Sequence, residues 1–577
     1  MNRPARTAPR PGSAGLLWLA LATCLALIGA LPTASWAASV GAAPPREALR
    51  ERVEEMRSER APGGDAQRAA RALIASLYEA RGFEPLWADP ARAASLRRAI
   101  DASATHGLDP RDYHAPALDL TPKPADERAL AQRELLLTDA LVRLAYHLHF
   151  GKADPRSLQP SWNFARTLGG ADPAAALAQL ASAPDPAAAL ERLAPSLPAY
   201  VGLRRVLAAL RETERHGGWT PVPLGPKLDI GMNESRDSSR LAALRQRLAE
   251  SGDLLTTVAD AAAPTVLFDT ALADAVQRFQ TRHGLETDGI VGRATLAALN
   301  VPVAARIDQV RANLERLRWV ARDLVGDHLV VDIAGFEARL WLDGREAWRS
   351  RVVVGRPYRR TPEFRSTMEY LVLNPEWGVP PTILHNDVLP RVLRDHGYLA
   401  RQRMRLIDRS GRVVAPASVD WEAVRQRPDA FPYRIVQASG PDNALGRIRF
   451  MAPNEHLVFL HDTPARELFE RPVRAFSSGC IRVERPHELA VLLLDDAQRW
   501  GAQQLTEAID GGRTQTLPVR RRVPLLLLYH TARAGDDGRP EFRADLYGRD
   551  APIVRALAAP FRFSQVAKHG TEPVSVI

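Results

Sequence analysis

The period of the hydrophobic pattern changes once along this chain, at about Gly326. Before that point apolar residues recur three or four positions apart, as Leu136, Ala140 and Leu144 do, which predicts amphipathic helices. After it, apolar and polar residues alternate over short runs, most clearly at 337–342, which predicts β-strands. Neither pattern extends over the whole chain, so we expect a multidomain α+β protein rather than one helical bundle or one β-sandwich.

Size and composition support the same interpretation. At 577 residues the chain is longer than one hydrophobic core usually organises, and we expect two to four domains. A hydrophobic fraction of 46% with 25% charged residues is typical of globular proteins and excludes a disordered chain, a collagen-like fibre and a multi-span membrane protein. The net charge of +10 comes from scattered basic residues rather than one basic stripe, so nucleic acid is not an expected partner.

The first 37 residues have the three-part pattern of a secretory signal peptide. Residues 1–15 are basic without an acid, residues 16–31 are uncharged and apolar, and the small Ser35 and Ala37 precede the expected cleavage point. The apolar run is short for a spanning helix, although an uncleaved membrane anchor stays open as an alternative. The Ala-, Pro-, Glu- and Arg-rich segment 38–64 predicts a flexible tether.

Two helical units are expected before the change of period. Proline-punctuated helical sequence over 65–235 predicts a helical scaffold domain. A compact module follows at 236–302, where Leu272 and Phe279 fall on one apolar helical face. Residues 303–325 predict a helix that connects this module to the strands.

The strand-rich segment 326–550 predicts a mostly β domain, and 551–577 is expected to be a C-terminal tail. An Arg-rich, partly helical insertion at about 384–435 interrupts the strands. An insertion of that size beside a β core suggests a lid over an active site. The apolar run 524–529 is far too short to span a membrane and predicts a buried strand.

One cysteine dominates the candidate chemistry. Cys24 lies in the predicted signal peptide, which leaves Cys480 as the only thiol of the mature chain and excludes an internal disulfide. His461 ends a predicted strand 19 residues earlier. A Cys/His pair suits acyl transfer, in which an imidazole or local positive charge lowers the pKa of the thiol.

The residues around the cysteine suggest how such a site would be completed. Backbone N–H groups around Gly479 and Cys480 are expected to form an oxyanion hole, in a loop shaped by Ser477 and Ser478. Arg482 would add positive charge near the thiol. The alternative that Cys480 is a small buried hydrophobe is disfavoured by its Ser, Gly and Arg neighbours. One Cys and one His are too few ligands for structural zinc, so we expect no metal.

The order of these motifs resembles a known enzyme family. The pattern from His461 to Ser-Ser-Gly-Cys-Ile-Arg482 is similar to the catalytic signature of the YkuD-type L,D-transpeptidases, above all the large periplasmic enzymes of Gram-negative bacteria. Residues 275–300 resemble the small helical peptidoglycan-binding domain. Most of the wider family has His where Ser478 stands; the large periplasmic branch has Ser there, which leaves His461 as the only signature imidazole.

The resemblance implies a reaction on peptidoglycan. The Cys480 thiolate would attack the third residue of a donor tetrapeptide stem, release D-Ala and form a thioester, and His461 would move the proton. The side-chain amine of diaminopimelate on a second stem would then give a 3→3 cross-link. This activity implies a role in cell-wall biogenesis and cell shape, a periplasmic location, inhibition by carbapenems, and no organic cofactor or metal.

The resemblance also suggests further substrate-binding residues. Arg482 and Asn443 lie in matched motifs and are implied to orient the substrate or the loop. Trp377 and Tyr433 are candidate aromatics of the substrate groove, with packing in a core as an equal alternative.

Three other functions stay open. One is a non-catalytic peptidoglycan-binding scaffold in which 236–302 holds glycan; the same module would alternatively only brace the fold. The other two keep the thioester chemistry with a different acceptor, namely water in an L,D-carboxypeptidase or a lipoprotein lysine in an anchoring enzyme. Peptidoglycan is the expected partner in each case, together with other cell-wall enzymes of unknown identity.

Overall fold

The structure is a computed structural model that describes residues 44–58, 65–118, 126–164, 172–232, 238–255 and 267–560. The predicted signal peptide at 1–37 lies outside the described residues. Within the described ranges, none of the helices combines the length and the apolar character that crossing a membrane requires.

The N-terminal half is helical, as the sequence predicts. Many of its helices begin at an Asp side chain that accepts a hydrogen bond from a backbone N–H of the first turn, as at Asp89, Asp126 and Asp172. The α-helices are Arg46–Ser58, Asp65–Ala80, Pro90–Ala102, Glu127–Phe150, Pro155–Leu158, Pro173–Ala181, Pro186–Glu191 and Pro198–Arg215, with 3₁₀ turns at Ser103–His106 and Pro110–Tyr113.

The helix Arg46–Ser58 falls within the predicted flexible tether, and that prediction is wrong for its residues. Leu49, Val53 and Met56 repeat at helical spacing and are buried in the core of the helical domain. The Ala, Pro and Glu content of the segment concealed this short apolar stripe.

The predicted C-terminal tail likewise begins with a helix, Asp550–Ala558. Ile553 and Leu557 of this helix lie in the core of the helical domain. The prediction of a tail is therefore wrong for 551–558, because four-residue spacing of two apolar side chains is enough to dock one helical face.

The next unit consists of the helices Ser238–Glu250, Thr270–Arg282 and Arg293–Leu299 around a core of its own. It is held against the C-terminal half by side chain–backbone hydrogen bonds. Arg543 Nη1 donates to the Arg282 carbonyl at 2.8 Å, and Arg539 Nη1 donates to the Gly252 carbonyl at 2.8 Å.

The helix Val303–Val320 occupies the predicted connection and is buried along most of its length. Leu314 and Leu317 pack with the helix Pro198–Arg215, whereas Trp319 belongs to the core of the helical domain. The helix therefore joins the units through shared cores rather than acting as a spacer.

The C-terminal half is built on one 11-stranded sheet, in the order β14-β5-β10-β11-β13-β3-β2-β1-β15-β4, with β12 paired to β3. Its strands are β1 His328–Asp332, β2 Glu337–Leu342, β3 Arg345–Gly355, β4 Phe364–Thr367, β5 Tyr370–Leu373, β10 Ile448–Met451, β11 Leu460–His461, β12 Ala475–Ser477, β13 Ile481–Val483, β14 Gln515–Pro518 and β15 Pro524–Leu528. The hairpin of β16 Ala532–Ala534 and β17 Pro540–Phe542 follows, and the helices Pro486–Leu494, Ala497–Trp500 and Ala502–Asp510 precede β14.

The strand β15 confirms the prediction of a buried strand and separates two cores. Leu525 and Leu527 lie in the core of the main sheet, whereas Leu526 and Leu528 lie in the core of the helical domain. Because the strand is buried on both faces, its sequence is a continuous apolar run instead of an alternation of apolar and polar residues.

The predicted insertion forms a small capping subdomain between β5 and β10. Its sheet has the order β6-β9-β7-β8, and its buried residues form a separate hydrophobic cluster. The elements are β6 Trp377–Gly378, β7 Met404–Ile407, β8 Val413–Val414, β9 Arg434–Gln437, the helices Pro381–Ile383, Leu389–Arg394, Gly397–Arg401 and Trp421–Gln426, the π-turn Leu384–Val388 and the 3₁₀ turns Pro416–Ser418 and Pro428–Ala430.

Candidate active site

Two neighbouring parallel strands position the candidate nucleophile and base. In the register of β11 and β13, Leu460 is the partner of Ile481, and both side chains are fully buried in the core of the main sheet. Side chains alternate along a strand, so Cys480, which precedes Ile481, and His461, which follows Leu460, both lie on the opposite face. The structure thus brings the thiol and the imidazole to one face of the sheet.

The imidazole of His461 is oriented by the backbone. Its Nδ1 lies 2.5 Å from the Asp462 carbonyl oxygen, which can only accept, so Nδ1 carries the proton and Nε2 is left as the acceptor. Burial, followed by the positive charge of Arg482, lowers the pKa of His461 to about 3, although backbone groups of Asp462 and Leu445 oppose the shift. The ring is therefore neutral at any physiological pH.

The thiol of Cys480 is partly exposed and protonated at rest. Burial of its surroundings raises its pKa, and a backbone hydrogen bond at Phe459 and the charges of Arg482 and Arg449 offset only part of that rise. The expected lowering of the thiol pKa is thus wrong for the unliganded site, since desolvation outweighs the positive charges. Sγ donates to the Leu457 carbonyl at 3.9 Å. Because the pKa of the thiol is raised and that of His461 is lowered, transfer of the thiol proton to His461 is uphill in this state.

The predicted oxyanion hole needs a correction. Ser477 is buried, and its hydroxyl both donates to the Cys480 carbonyl at 2.6 Å and accepts from the Gly479 N–H at 3.0 Å. The Gly479 N–H is therefore engaged inside the loop, which leaves the Cys480 N–H as the candidate donor. Gly479 has a φ of 122°, a backbone conformation that residues with a side chain rarely adopt, so the turn favours glycine at this position.

Residues that sequence reasoning missed brace this loop from below. Thr361 is buried, and its hydroxyl donates to the Gly479 carbonyl at 2.8 Å while it accepts from Gly355 N–H at 2.9 Å. The Tyr547 hydroxyl donates to the Gly355 carbonyl at 2.5 Å. A Thr in the β3–β4 connection gives no signal of such a role in a single sequence.

The loop is also linked to the capping subdomain. Arg359 donates from Nη1 to Ser478 Oγ at 2.8 Å and forms an ion pair with Asp387 of the π-turn. Ser478 is exposed, so its hydroxyl and the guanidinium lie at the entrance to the site. This contact places the capping subdomain next to the cysteine loop.

Arg482 lies on the same face of the sheet as the thiol, as the sequence suggested, and a second arginine lies with it. Arg449 of β10 pairs with His461 of β11, which pairs with Arg482 of β13, so the three side chains form one row across three strands. Sequence reasoning missed Arg449 because its strand lies in a different part of the chain from the cysteine motif.

Asn443 has two predicted roles, to orient the substrate or to orient a loop. It is buried; its Nδ2 donates to the Ala438 carbonyl at 2.9 Å, and its Oδ1 accepts from the Leu445 N–H at 2.8 Å. Since the amide is engaged within its own loop, Asn443 positions Leu445, whose backbone contacts the His461 ring. These contacts support the role in the loop, whereas contact with the substrate stays a prediction.

The two candidate groove aromatics belong to the capping subdomain. Trp377 begins β6 opposite Gln437 of β9, and both Trp377 and Tyr433 pack partly buried against the subdomain core. Tyr433 also contacts Phe431 edge-on, with ring centroids 5.5 Å apart. Among the described residues, no cluster of three or more His, Cys, Asp or Glu side chains could hold a metal ion.

Comparison with protein-family models now identifies the units. Residues 326–499 match the model described as "L,D-transpeptidase catalytic domain". These residues are an L,D-transpeptidase catalytic domain. Residues 237–299 match the "Putative peptidoglycan binding domain" and residues 72–207 the "Scaffold domain", so the chain combines an L,D-transpeptidase domain with a peptidoglycan-binding domain and a helical scaffold. The strands β14 and β15, which complete the main sheet, follow the matched range of the L,D-transpeptidase domain.

Individual proteins are similar to part of this chain. A protein of Haemophilus influenzae named "Putative L,D-transpeptidase" is 37% identical over 241 residues, which are 42% of this chain and about half (48%) of that relative. The L,D-transpeptidase structure from Xylanimonas cellulosilytica is 14% identical, covers 53% of this chain and 99% of its own, and has a TM-score of 0.17. The L,D-transpeptidase structure from Stackebrandtia nassauensis is 11% identical, covers 54% of this chain and 96% of its own, and has a TM-score of 0.18. Scores this low carry no conclusion about the present fold.

Proposed function

We propose that this protein is a cysteine L,D-transpeptidase that joins peptidoglycan stem peptides by 3→3 cross-links. The observation that carries the proposal is the register of β11 and β13, which sets Cys480 and His461 on one face of the sheet. A nucleophile and a base on adjacent rigid strands suit acyl transfer. The L,D-transpeptidase domain and the peptidoglycan-binding domain favour stem peptides as the substrate class.

In the proposed first step, the proton of Cys480 moves to Nε2 of His461 while the sulfur attacks the carbonyl of the third donor residue. The Cys480 N–H is the candidate donor to the oxyanion that forms. When the intermediate collapses, the amide bond breaks, the imidazolium gives its proton to the departing amine of D-Ala, and a thioester remains.

In the second step, the side-chain amine of an acceptor diaminopimelate attacks the thioester. His461 accepts the amine proton, the new C–N bond forms, and as the C–S bond breaks the imidazolium returns its proton to the sulfur, which restores the thiol and the neutral imidazole. The energy of the donor amide is kept in the thioester, so the reaction needs no nucleotide. Each proton transfer passes through one imidazole, which the backbone hydrogen bond to Asp462 holds in a single tautomer.

The other units fit an enzyme that works on a polymeric wall. We propose that the export signal at 1–37 directs the chain to the periplasm and that the 237–299 domain retains it on glycan. The capping subdomain would act as a lid over the groove, since Arg359 links its Asp387 to Ser478 of the cysteine loop. Other cell-wall enzymes stay open as partners.

Three alternatives differ from this proposal in a testable way. A purely wall-binding scaffold is disfavoured because Ser477 and Thr361 hold the Cys480 loop in one conformation, which a scaffold does not need. An enzyme that uses water or a lipoprotein lysine as the acceptor would share the same first step. The acceptor must therefore be identified from the reaction products.

The test is to incubate the full chain with purified disaccharide tetrapeptides and to analyse the products by mass spectrometry. Dimers linked 3→3 with loss of D-Ala are the expected result. Tripeptides alone would identify a carboxypeptidase, and an unchanged mixture would favour the scaffold. A carbapenem should give one covalent adduct, on the peptide that contains Cys480, and none on Cys480→Ala.

A further inference from the structure

Two arginines flank the imidazole on the open face of the main sheet. The register pairs Arg449 with His461 and His461 with Arg482. Neighbouring strands lie about 4.8 Å apart, so the two arginine backbones are roughly 10 Å apart with the imidazole between them. Cys480 lies two residues before Arg482 and therefore on the same face. Both charges act on the thiol, since each lowers its pKa.

Protein carboxylates do not neutralise these two guanidinium groups. In the ranges that the structure describes, neither Arg449 nor Arg482 forms an ion pair, and the buried Nε of each has no hydrogen-bond partner. Glu467 is close enough to Arg482 to influence it electrostatically, but it is exposed. The guanidinium of Arg449 lies over the ring of Phe459, 5.4 Å from its centroid.

Half-buried cations without a counter-charge are unfavourable unless a ligand supplies one. Both arginines are only partly exposed, and burial lowers the pKa of each. A bound carboxylate would relieve this unfavourable burial with charge-assisted hydrogen bonds. The same anion would weaken the positive field at His461, which is part of the reason why its pKa is low. Anion binding would therefore make the imidazole a better acceptor for the thiol proton.

We infer that Arg449 and Arg482 form a carboxylate subsite that binds the terminal α-carboxylate of the donor stem. The anion site follows from the residues, whereas the identity of its ligand rests on the proposed function. In a tetrapeptide donor this carboxylate belongs to the residue that leaves, so it lies within a few bonds of the carbonyl that Cys480 attacks. The diaminopimelate side-chain carboxylate lies at the far end of a longer chain. Arg449 is thus a substrate-binding residue that selects donors with one residue beyond the attacked carbonyl.

The anion site is tested without peptidoglycan by two alkylating reagents. Iodoacetate and iodoacetamide both lose iodide to the thiolate of Cys480 and differ in charge, so the ratio of their rates at one pH cancels the thiolate fraction. We expect this ratio to exceed that of N-acetylcysteine by about tenfold, and Arg449→Gln to lower it by about fivefold or more. Arg449→Lys should retain part of it.

The matched control is Arg345→Gln, which removes the same charge from an exposed residue at the far end of β3. We expect this variant to change the ratio by less than about twofold, because solvent ions screen an exposed charge beyond the Debye length of about 8–10 Å. Circular dichroism checks the fold of each variant. An unchanged ratio in folded Arg449→Gln, or an equal fall in Arg345→Gln, would overturn the anion site.

The identity of the ligand is tested with three tetrapeptide donors. One has a free terminal carboxylate, one has a terminal amide, and one is amidated only on the diaminopimelate side chain. We expect the terminal amide to slow the wild-type enzyme about 10- to 100-fold, which corresponds to a hydrogen bond to a charged group, and Arg449→Gln to abolish this preference.

If only the donor amidated on the diaminopimelate side chain reacts more slowly, the subsite binds that side chain and the inference is overturned. An equal fall in rate for all donors in Arg449→Gln would also overturn it. If no donor reacts with the wild-type enzyme, the proposed function fails, and the alkylation ratio still decides whether the anion site exists.

Discussion

Two regions of the main sheet, β15 near one edge and β11 with β13 near the middle, use parallel backbone pairing for different purposes. At β15, Leu525 and Leu527 face one core and Leu526 and Leu528 face another, so both surfaces of the strand are apolar and buried. At β11 and β13 only one surface is apolar. The other carries His461, Cys480 and Arg482.

The difference indicates where stability and chemistry are separated. At β15, each leucine of 525–528 packs into one of the two cores, so a substitution there disturbs the packing of one domain or the other. At β11 and β13 the buried partners Leu460 and Ile481 fix the register, and the residues next to them carry the candidate chemistry. Substitutions in the two regions should therefore affect different measurements.

The largest expected effect is at β13, where Cys480 precedes the strand. Cys480→Ala should reduce 3→3 cross-linking roughly 10⁴-fold or more, because no other thiol is present in the described residues to form the thioester. Its melting temperature should stay close to that of the wild type, since one small, partly exposed side chain changes. Cross-linking by a folded Cys480→Ala protein at more than a few per cent of the wild-type rate would contradict the assignment of the nucleophile.

His461→Ala should lower transpeptidation about 10²- to 10⁴-fold, the usual contribution of general acid–base catalysis. The pH profile of Cys480 alkylation by iodoacetamide should change little, because a ring with a pKa of about 3 is already neutral and adds no charge to the resting site. A large shift of the alkylation profile in this variant would show that a charged imidazole activates the resting thiol.

In β15, Leu526→Ala should lower the free energy of unfolding by about 2–5 kcal/mol, since it leaves a cavity at a fully buried position. The control is Leu457→Ala, the same substitution at a side chain that is 80% exposed beside the active site. It should change the free energy of unfolding by less than about 0.5 kcal/mol. Denaturant unfolding measures both, and equal losses would show that the two regions do not differ as described.

Ser477→Ala should have a smaller effect and lower the free energy of unfolding by about 1–3 kcal/mol, because it removes the hydroxyl that bridges the Gly479 N–H and the Cys480 carbonyl. The loop then loses its internal brace, and we expect kcat to fall more than KM rises. Steady-state kinetics on a soluble tetrapeptide checks this split, with Ser478→Ala as the exposed neighbour. A pure rise in KM would assign Ser477 to substrate binding.

The smallest expected effect concerns the resting thiol. Because burial raises the pKa of Cys480, alkylation by iodoacetamide should still be increasing with pH beyond about 8.5, the ordinary thiol pKa. Arg482→Gln should shift the profile further upward, since the positive charge favours the thiolate. A downward shift in that variant would mean that Arg482 acts through the loop structure instead of through its charge.

The sequence predicted the elements better than the contacts between distant parts of the chain. The alternating pattern identified β1 and β2 well, and the cysteine motif located the nucleophile, because both signals are local. The row of Arg449, His461 and Arg482 could not be predicted, since it depends on the register of three strands. The raised thiol pKa was missed for a related reason, because burial is a property of the folded neighbourhood.

The shared core at β15 also sets the order in which the protein can mature. The core of the helical domain contains Leu73 and Leu77 near the beginning of the chain and Leu526, Leu528 and Leu557 near its end. During synthesis the early helices stay incompletely packed until residues 526–557 have appeared, which prolongs the exposure of apolar surface to aggregation. A product that ends before β15 lacks Leu526, Leu528 and Leu557 and cannot complete this core.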